Sequence, residues 1–142
     1  MPEAVIVSTA RSPIGRAFKG SMTSIRPDDL TAQMVRAALD KVPALDPRQI
    51  DDMYLGCGLP GGESGYNMGR VVATLLGYDH LPAATITRYC ASSLQTTRMA
   101  FHAIKAGEGD VFISAASRPS RATSRAPPTA CRTPRTRCSP TR

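Results

Sequence analysis

The sequence lacks the cysteine spacing of a metal site. Its four cysteines, Cys57, Cys90, Cys131 and Cys138, include no Cys-x-x-Cys pair, and neither histidine stands at ligand spacing to them. Structural zinc sites are built from such closely spaced ligands. We therefore expect no metal ion, and a reduced, cytoplasmic protein is the simplest interpretation.

A long hydrophobic run is also missing. The N-terminal stretch MPEAVIVSTARSP has an acidic residue early and an apolar run too short for the core of a signal peptide. A membrane-spanning helix needs about 20 predominantly apolar residues. We expect neither a secretory signal nor an association with a membrane.

Acidic residues are absent from the C-terminal part of the chain. Residues 115–142 contain seven arginines but no acid, no aromatic residue and no aliphatic side chain larger than alanine. Residues 1–114 carry eleven basic and eleven acidic residues, so the net charge of +7 belongs to the C-terminal segment alone. Such a segment buries too little apolar surface to offset the entropy of ordering, and we expect a disordered tail.

Two interpretations of residues 115–142 remain open. The segment consists of Ala, Ser, Thr, Pro, Arg and Cys, and all but Cys have codons rich in G and C, as expected of a GC-rich gene translated out of frame. Alternatively, the arginines form a basic arm of a non-catalytic module that binds nucleic acid or acidic partners through phosphate contacts. Without aromatic residues for base stacking, only sequence-independent binding fits, and nucleic acid is the less favoured partner.

Strand-forming and helix-forming segments alternate through residues 1–114. β-branched or apolar runs between turn residues predict strands, and apolar stripes with capping or breaking residues predict helices. The predicted strands cover residues 4–8, 50–57, 84–89 and 111–114, and the predicted helices cover residues 27–42, 67–76 and 92–106. This alternation favours an α/β fold with right-handed parallel crossovers, in which the first strand is buried on both faces.

Cys90 stands between a predicted strand and a predicted helix. A sulfur at a helix N-terminus faces unpaired backbone N–H groups and the positive end of the helix dipole, which favour the nucleophilic thiolate. The same N–H groups can stabilise the oxyanion that forms when a thioester carbonyl is attacked. Ser92 and Ser93 are suited to cap the first turn. From spacing alone, however, a small buried cysteine is the more frequent explanation.

Four segments in sequence resemble the thiolase family of acyl-CoA acyltransferases, across nearly all of residues 4–114. They are VIVSTARSPIGRAFKGSM, the helix that follows IRPDDL, GCGLPGGESGYNMGRVVA and RYCASSLQTTRMAFHAIKAGEGDVFIS. Each segment alone is a weak signal, but their order and spacing together are specific. The resemblance implies the N-terminal half-domain of a thiolase, a mixed sheet with flanking helices, which ends before the second half.

The resemblance also implies a chemistry. It makes Cys90 the residue that is acylated in a ping-pong transfer between acyl-CoA and coenzyme A, with the thioester as substrate and no tightly bound cofactor. It implies fatty-acid or lipid metabolism and homo-oligomeric relatives. Arg11, Gly15 and residues 67–70 match positions with structural roles at the subunit interface and beneath the nucleophile.

The chain departs from the family pattern in its second half. Thiolases carry a Gly-His-Pro histidine that activates the nucleophile and a Cys-x-Gly cysteine that moves a proton, and this sequence has neither motif. His80 and His102 match no family base, and we expect both at the surface. We therefore expect no turnover from this chain alone. A partial chain that folds poorly and aggregates through its strand edges is a further alternative.

A glycine-rich segment imitates a dinucleotide-binding motif. Residues 56–61 fit G-x-G-x-x-G after a predicted strand, and Asp79 lies near the distance of a ribose-binding acid. Pro60 and the later glycines delay a helix, and Glu63 puts negative charge where a pyrophosphate would rest. We expect no nicotinamide site, and we expect Cys57 to be a buried residue at the end of a strand.

Overall fold

The computed structural model describes residues 3–16 and 19–117. Three α-helices are present in these ranges, α1 (Pro27–Leu39), α2 (Met68–Leu76) and α3 (Ser92–Ala106), with three strands, β1 (Asp52–Cys57), β2 (Ala83–Ile86) and β3 (Phe112–Ser117). Residues 115–117, expected in the disordered tail, belong to β3 instead, because they pair with β1. Residues 118–142, with the seven arginines of the tail, Cys131 and Cys138, lie outside the described residues, so the predictions for them stay predictions. No helix of the described part is long and apolar enough to cross a membrane.

Sequence signals mark the start of α1 and the ends of α2 and α3, whereas α1 ends at Leu39, three residues before its predicted end. Pro27 occupies the first turn of α1, and Asp28 and Asp29 place negative charge at its positive end. The helices α2 and α3 both end at glycines in the left-handed conformation, Gly77 with φ +83° and Gly107 with φ +80°. A residue with a Cβ atom adopts this conformation only at a cost, so these glycines fix both helix ends as predicted.

The three strands form a parallel sheet in the order β2-β1-β3. Met53 of β1 is opposite Ala83 of β2 on one side and opposite Ile113 of β3 on the other. The predicted α/β class and the parallel crossovers are confirmed. The antiparallel strand that a mixed sheet contains is not among the described strands.

The main hydrophobic core lies on the face of the sheet that α1 and α2 cover. Met53, Leu55 and Cys57 alternate along β1 with no exposed surface, and they point to this face. The helices contribute further buried apolar residues to the same cluster, namely Ala32, Val35, Met68, Val72, Ala73 and Leu76. Burial of this apolar surface is the main source of stability that the described residues offer.

The opposite face of the sheet carries α3, which contributes small and hydroxyl-bearing side chains to it, while Tyr54 of β1 and Phe112 of β3 stack there with ring centroids 5.8 Å apart. The residues of α3 that are buried are Ser92, Thr96, Ala100 and Ala103. The hydroxyl of Thr96 donates to the carbonyl oxygen of Ser93 at 2.8 Å and accepts from the hydroxyl of Ser114 on β3 at 3.0 Å. Because these side chains are short, α3 lies close to the strands.

The N-terminal segment does not form the predicted strand. Val5, Ile6 and Val7 are 69%, 76% and 74% exposed, although a strand buried on both faces was expected over residues 4–8. The segment is attached to α1 and its C-terminal turn instead: the Ser8 hydroxyl donates to the Ala38 carbonyl oxygen and the Lys41 ammonium donates to the Thr9 carbonyl oxygen. The β-branched run favours an extended backbone, but a buried strand also needs neighbouring strands, which the described residues do not supply.

Residues 67–70 have structural roles at the start of α2. The Asn67 amide donates to the Ala83 carbonyl oxygen at 2.8 Å, and its oxygen accepts from the Thr85 hydroxyl at 2.9 Å. The Arg70 guanidinium donates to the carbonyl oxygens of Leu81 at 2.7 Å and Asp79 at 2.8 Å. These contacts attach α2 to β2 and to the loop between α2 and β2.

Candidate active site

Cys90 lies exposed in a short 3₁₀ turn, Tyr89–Ala91, directly before α3. Strand β2 ends at Ile86, so Thr87 and Arg88 connect the sheet to this turn. The predicted strand over 84–89 is therefore shorter at its C-terminal end. The predicted arrangement of strand, cysteine and helix is present, and the thiol is accessible to a reagent from solvent.

The residue before Cys90 has an unusual backbone conformation. Tyr89 has φ +48°, one of two non-glycine residues with positive φ in the described part of the chain. An aromatic residue in the left-handed region costs free energy and persists only where the surroundings hold it. Tyr89 is 76% exposed, so burial of its ring does not stabilise this conformation. The contacts that hold the turn come from its backbone.

Ser92 supplies two of these contacts. Its hydroxyl accepts from the Arg88 backbone N–H at 2.8 Å and donates to the Tyr89 carbonyl oxygen at 2.7 Å. The side chain is only 4% exposed. The sequence predicted that Ser92 and Ser93 cap the first turn of α3, but the N-cap position is Ala91, and the Ser92 hydroxyl closes the turn before the helix instead.

Two glycines of β1 and its C-terminal end form the surface on which this turn rests. A Cβ atom on Gly56 would lie 2.8 Å from the Ser92 carbonyl carbon, and one on Gly58 would lie 2.9 Å from the Tyr89 carbonyl oxygen. Both contacts are with backbone, which cannot move aside as a side chain can. Gly56 and Gly58 therefore allow the turn to lie directly against β1.

The sequence reasoning missed this role of the glycines. In the sequence, Gly56 and Gly58 fit a pattern that imitates a dinucleotide-binding motif, but the next α-helix begins only at Met68. Glu63 in the intervening turn pairs with Arg26 at 2.8 Å. A signal was available, because glycines at alternate positions of a strand lie on one face and mark a close approach of backbone.

The second cysteine near the site differs from Cys90 in its surroundings. Cys57 has no exposed surface and belongs to the core below the sheet. Burial raises the pKa of its thiol, and the Leu59 N–H and Ser64 hydroxyl beside the sulfur only partly oppose this. Cys57 is therefore a protonated, inaccessible thiol, as predicted for a buried residue at a strand end.

The structure brings neither histidine to Cys90. The His80 ring lies 3.2 Å from the Pro47 carbonyl oxygen, and His102 accepts from Arg98 on the exposed side of α3. His102 is ten residues beyond the start of α3, about 15 Å along the helix axis. Both histidines are exposed, as predicted. Within the described ranges, no group of three or more His, Cys, Asp or Glu residues could hold a metal ion.

Two shallow depressions lie away from the cysteine. One, of about 510 Å³, is lined by residues at the start of α1 and by Leu75, and the other, of about 470 Å³, is lined by Tyr66, Asn67 and the outer side of α2. Cys90 lines neither of them. The candidate site, as the described residues show it, is an exposed turn.

Comparison with known proteins gives the family. The family model "Thiolase, N-terminal domain" matches residues 4–117. A 3-ketoacyl-CoA thiolase of Bacillus subtilis is 44% identical over 115 residues, which are 80% of this chain and 29% of the relative. A beta-ketoadipyl-CoA thiolase of Pseudomonas knackmussii is 40% identical over 113 residues, 79% of this chain and 28% of the relative.

A solved structure is similar in fold. The crystal structure of the Bacillus anthracis acetyl-CoA acetyltransferase superposes with a TM-score of 0.74 at 28% identity and covers 82% of this chain and 29% of its own. The chain thus spans about 29% of the length of the proteins it matches.

Proposed function

The chain belongs to the thiolase family, and we propose from this that Cys90 is the nucleophile of an acyl transfer from a coenzyme A thioester. The observation that carries the proposal is the geometry of the turn. The accessible thiol of Cys90 lies just before α3 and follows Tyr89, which has a left-handed backbone. The turn packs directly on Gly56 and Gly58. A strained turn that presents one nucleophile at a helix N-terminus is an arrangement suited to covalent catalysis.

The chemical step is nucleophilic substitution at the thioester carbonyl. The Cys90 thiolate attacks the carbonyl carbon, a new carbon–sulfur bond forms, and the bond to the coenzyme A sulfur breaks. Coenzyme A leaves as a thiolate and takes up a proton, and the acyl group stays on Cys90. The turn itself uses the N–H groups of Ala91 and Ser92, so stabilisation of the oxyanion between these events falls to later N–H groups of the first turn of α3.

Completion of a catalytic cycle needs groups that the 142 residues do not contain. The Gly-His-Pro histidine and the Cys-x-Gly cysteine of the family pattern are absent from the sequence, and His80 and His102 lie elsewhere. We assign this chain the acylation half of the reaction and no turnover. Fatty-acid metabolism, homo-oligomerisation and a cytoplasmic location remain proposals; two free cysteines in the described part agree with a reducing compartment.

The experiment is to incubate the purified 142-residue chain with acetyl-CoA and to map acetylated cysteines by mass spectrometry. We expect a faster acetylation of Cys90 than of Cys57 or Cys131, and no ketoacyl-CoA product. The chain unfolded in urea is the control, because there the cysteines react according to their intrinsic chemistry alone. Equal labelling of Cys90 and Cys131 in the native chain contradicts the assignment of the nucleophile, and formation of product contradicts the absence of turnover.

A further inference from the structure

The geometry points to Ser92 as the positioning residue of the nucleophile, an inference that rests on the proposed function of Cys90. Ser92 does not reach a substrate in this role. Its hydroxyl holds the backbone of Arg88 and Tyr89 in the conformation that places Cys90 at the start of α3.

The buried hydroxyl group of Ser92 makes two hydrogen bonds to the turn. Its oxygen accepts from the Arg88 N–H at 2.8 Å while its proton goes to the Tyr89 carbonyl oxygen at 2.7 Å. The Tyr89 carbonyl oxygen also accepts the backbone N–H of Ser92. The two bonded groups flank the Arg88–Tyr89 peptide, so the hydroxyl fixes the rotation on both sides of it.

The two hydrogen bonds of the Ser92 hydroxyl, which bridge Arg88 and Tyr89, oppose backbone strain at Tyr89. Tyr89 has φ +48°, and without a constraint an aromatic residue returns to negative φ. A rotation there moves Cys90, the next residue, away from the N–H groups of α3. Ser92 itself is held in place, because its backbone lies against Gly56 of β1.

The neighbouring serine, Ser93, contrasts with Ser92. Ser93 has an exposed side chain, whereas Ser92 is 4% exposed, and only the hydroxyl of Ser92 bonds to the turn. Adjacent residues of the same type thus differ in burial and in the bond to the turn. This makes Ser93 the matched control.

The experiment measures the rate of Cys90 alkylation by iodoacetamide in the native full chain, divided by the rate in urea. We expect the parent chain to give a ratio above one. We expect Ser92→Ala to lower this ratio about five- to thirty-fold or to near one, the range that loss of a bridge of this kind gives. Ser93→Ala should leave the ratio unchanged, and Ser92→Thr, which keeps the hydroxyl, should restore most of it.

Two further variants separate positioning from general stability. Ala100→Gly weakens α3 without touching the bridge and should keep the ratio of the parent chain; a decrease equal to that of Ser92→Ala overturns the inference. If Ser92→Ala does not fold by circular dichroism, it is repeated with Tyr89→Gly, because glycine adopts the left-handed conformation without penalty. A folded double variant supports the inference, and an unfolded one overturns it, since the hydroxyl then does more than hold Tyr89.

The outcomes also separate this inference from the proposed function. A parent ratio of one overturns both, because Cys90 is then not an activated nucleophile. A parent ratio above one that Ser92→Ala does not change overturns the role of Ser92 alone.

Discussion

The face of the sheet under α1 and α2 is filled by aliphatic and sulfur-containing side chains, whereas the buried side chains that α3 brings to the other face are only alanine, serine and threonine, and β1 has Gly56 beneath the turn. On the first face, Met53 and Leu55 interlock with side chains of both helices. On the second, the turn before α3 lies against Gly56 with no side chain between. The first face supplies stability through buried area, and the second supplies position through close contact and hydrogen bonds. The candidate nucleophile lies on the second.

The largest effect is expected from the core face. Leu55→Ala should lower the free energy of unfolding by about 2–5 kcal/mol, because it removes a fully buried side chain and leaves a cavity. Urea denaturation followed by circular dichroism measures this loss. Leu59→Ala is the matched control, since Leu59 is 63% exposed and should change stability by less than about 0.5 kcal/mol. If both variants lose the same free energy of unfolding, burial of Leu55 in the core does not account for its contribution to stability.

A smaller loss of stability and a larger loss of reactivity are expected at the second face. Gly56→Ala forces backbone apart and should cost about 1–3 kcal/mol, while it also displaces the turn that carries Cys90. Denaturation and the rate of Cys90 alkylation check the two parts. Gly61→Ala is the control, because a Cβ atom there meets no atom within 4 Å. If Gly56→Ala retains the parent rate of alkylation, close contact does not position the site.

The hydroxyl network between α3 and β3 sharpens the comparison further. Thr96→Val keeps the shape of a fully buried side chain but removes the bonds to the Ser93 carbonyl oxygen and the Ser114 hydroxyl, with an expected cost of about 1 kcal/mol. Thermal unfolding measures it. Thr74→Val removes a similar bond on the exposed side of α2 and should change stability little. A neutral Thr96→Val would show that this face does not depend on its hydroxyl groups.

The smallest effect is one of pH, at the edge of the sheet away from Cys90. The backbone N–H groups of Val111 and Asp110 bond to the Asp51 carboxylate and hold its pKa below the ordinary value. A depressed pKa contributes stability that is present above about pH 4 and is lost as pH falls through the folded-state pKa. Because Asp51 is exposed, we expect only a slight loss.

Unfolding in urea at pH 7 and at pH 3 tests this contribution of Asp51. Asp51→Asn should be less stable than the parent chain at pH 7 and should approach it at pH 3, whereas the exposed Asp79→Asn should show no such convergence. A constant difference between the parent chain and Asp51→Asn at both pH values contradicts the expectation.

Local signals in the sequence predicted the elements well. Proline at the start of α1 and glycines at the ends of α2 and α3 act through their own backbone preferences, so the helices lie close to where those residues place them. The position of Cys90 between a strand and a helix follows from the same signals. These features depend on short stretches of chain and can be inferred without knowing the packing.

Features that depend on distant residues were missed. The apolar run Val5–Val7 predicted a buried strand, but a strand is buried only where other strands and helices meet it, and this information is not in the run itself. The left-handed conformation of Tyr89 is likewise imposed by Ser92 and the glycines, not by any preference of tyrosine. The role of Gly56 appears only when β1 and the turn before α3 are brought together.

The close contact of Gly56 and Gly58 with the turn limits which side chains fit at these positions. Gly56 and Gly58 face the backbone of Ser92 and Tyr89 at distances that leave no room for a methyl group unless that backbone shifts. Tyr89 and Leu94, one residue before and four residues after Cys90, are 76% and 71% exposed, so their side chains are free of this restriction. A change of side chain at Tyr89 or Leu94 therefore alters exposed surface without pressing on the backbone of the turn, whereas a side chain at Gly56 or Gly58 displaces that backbone.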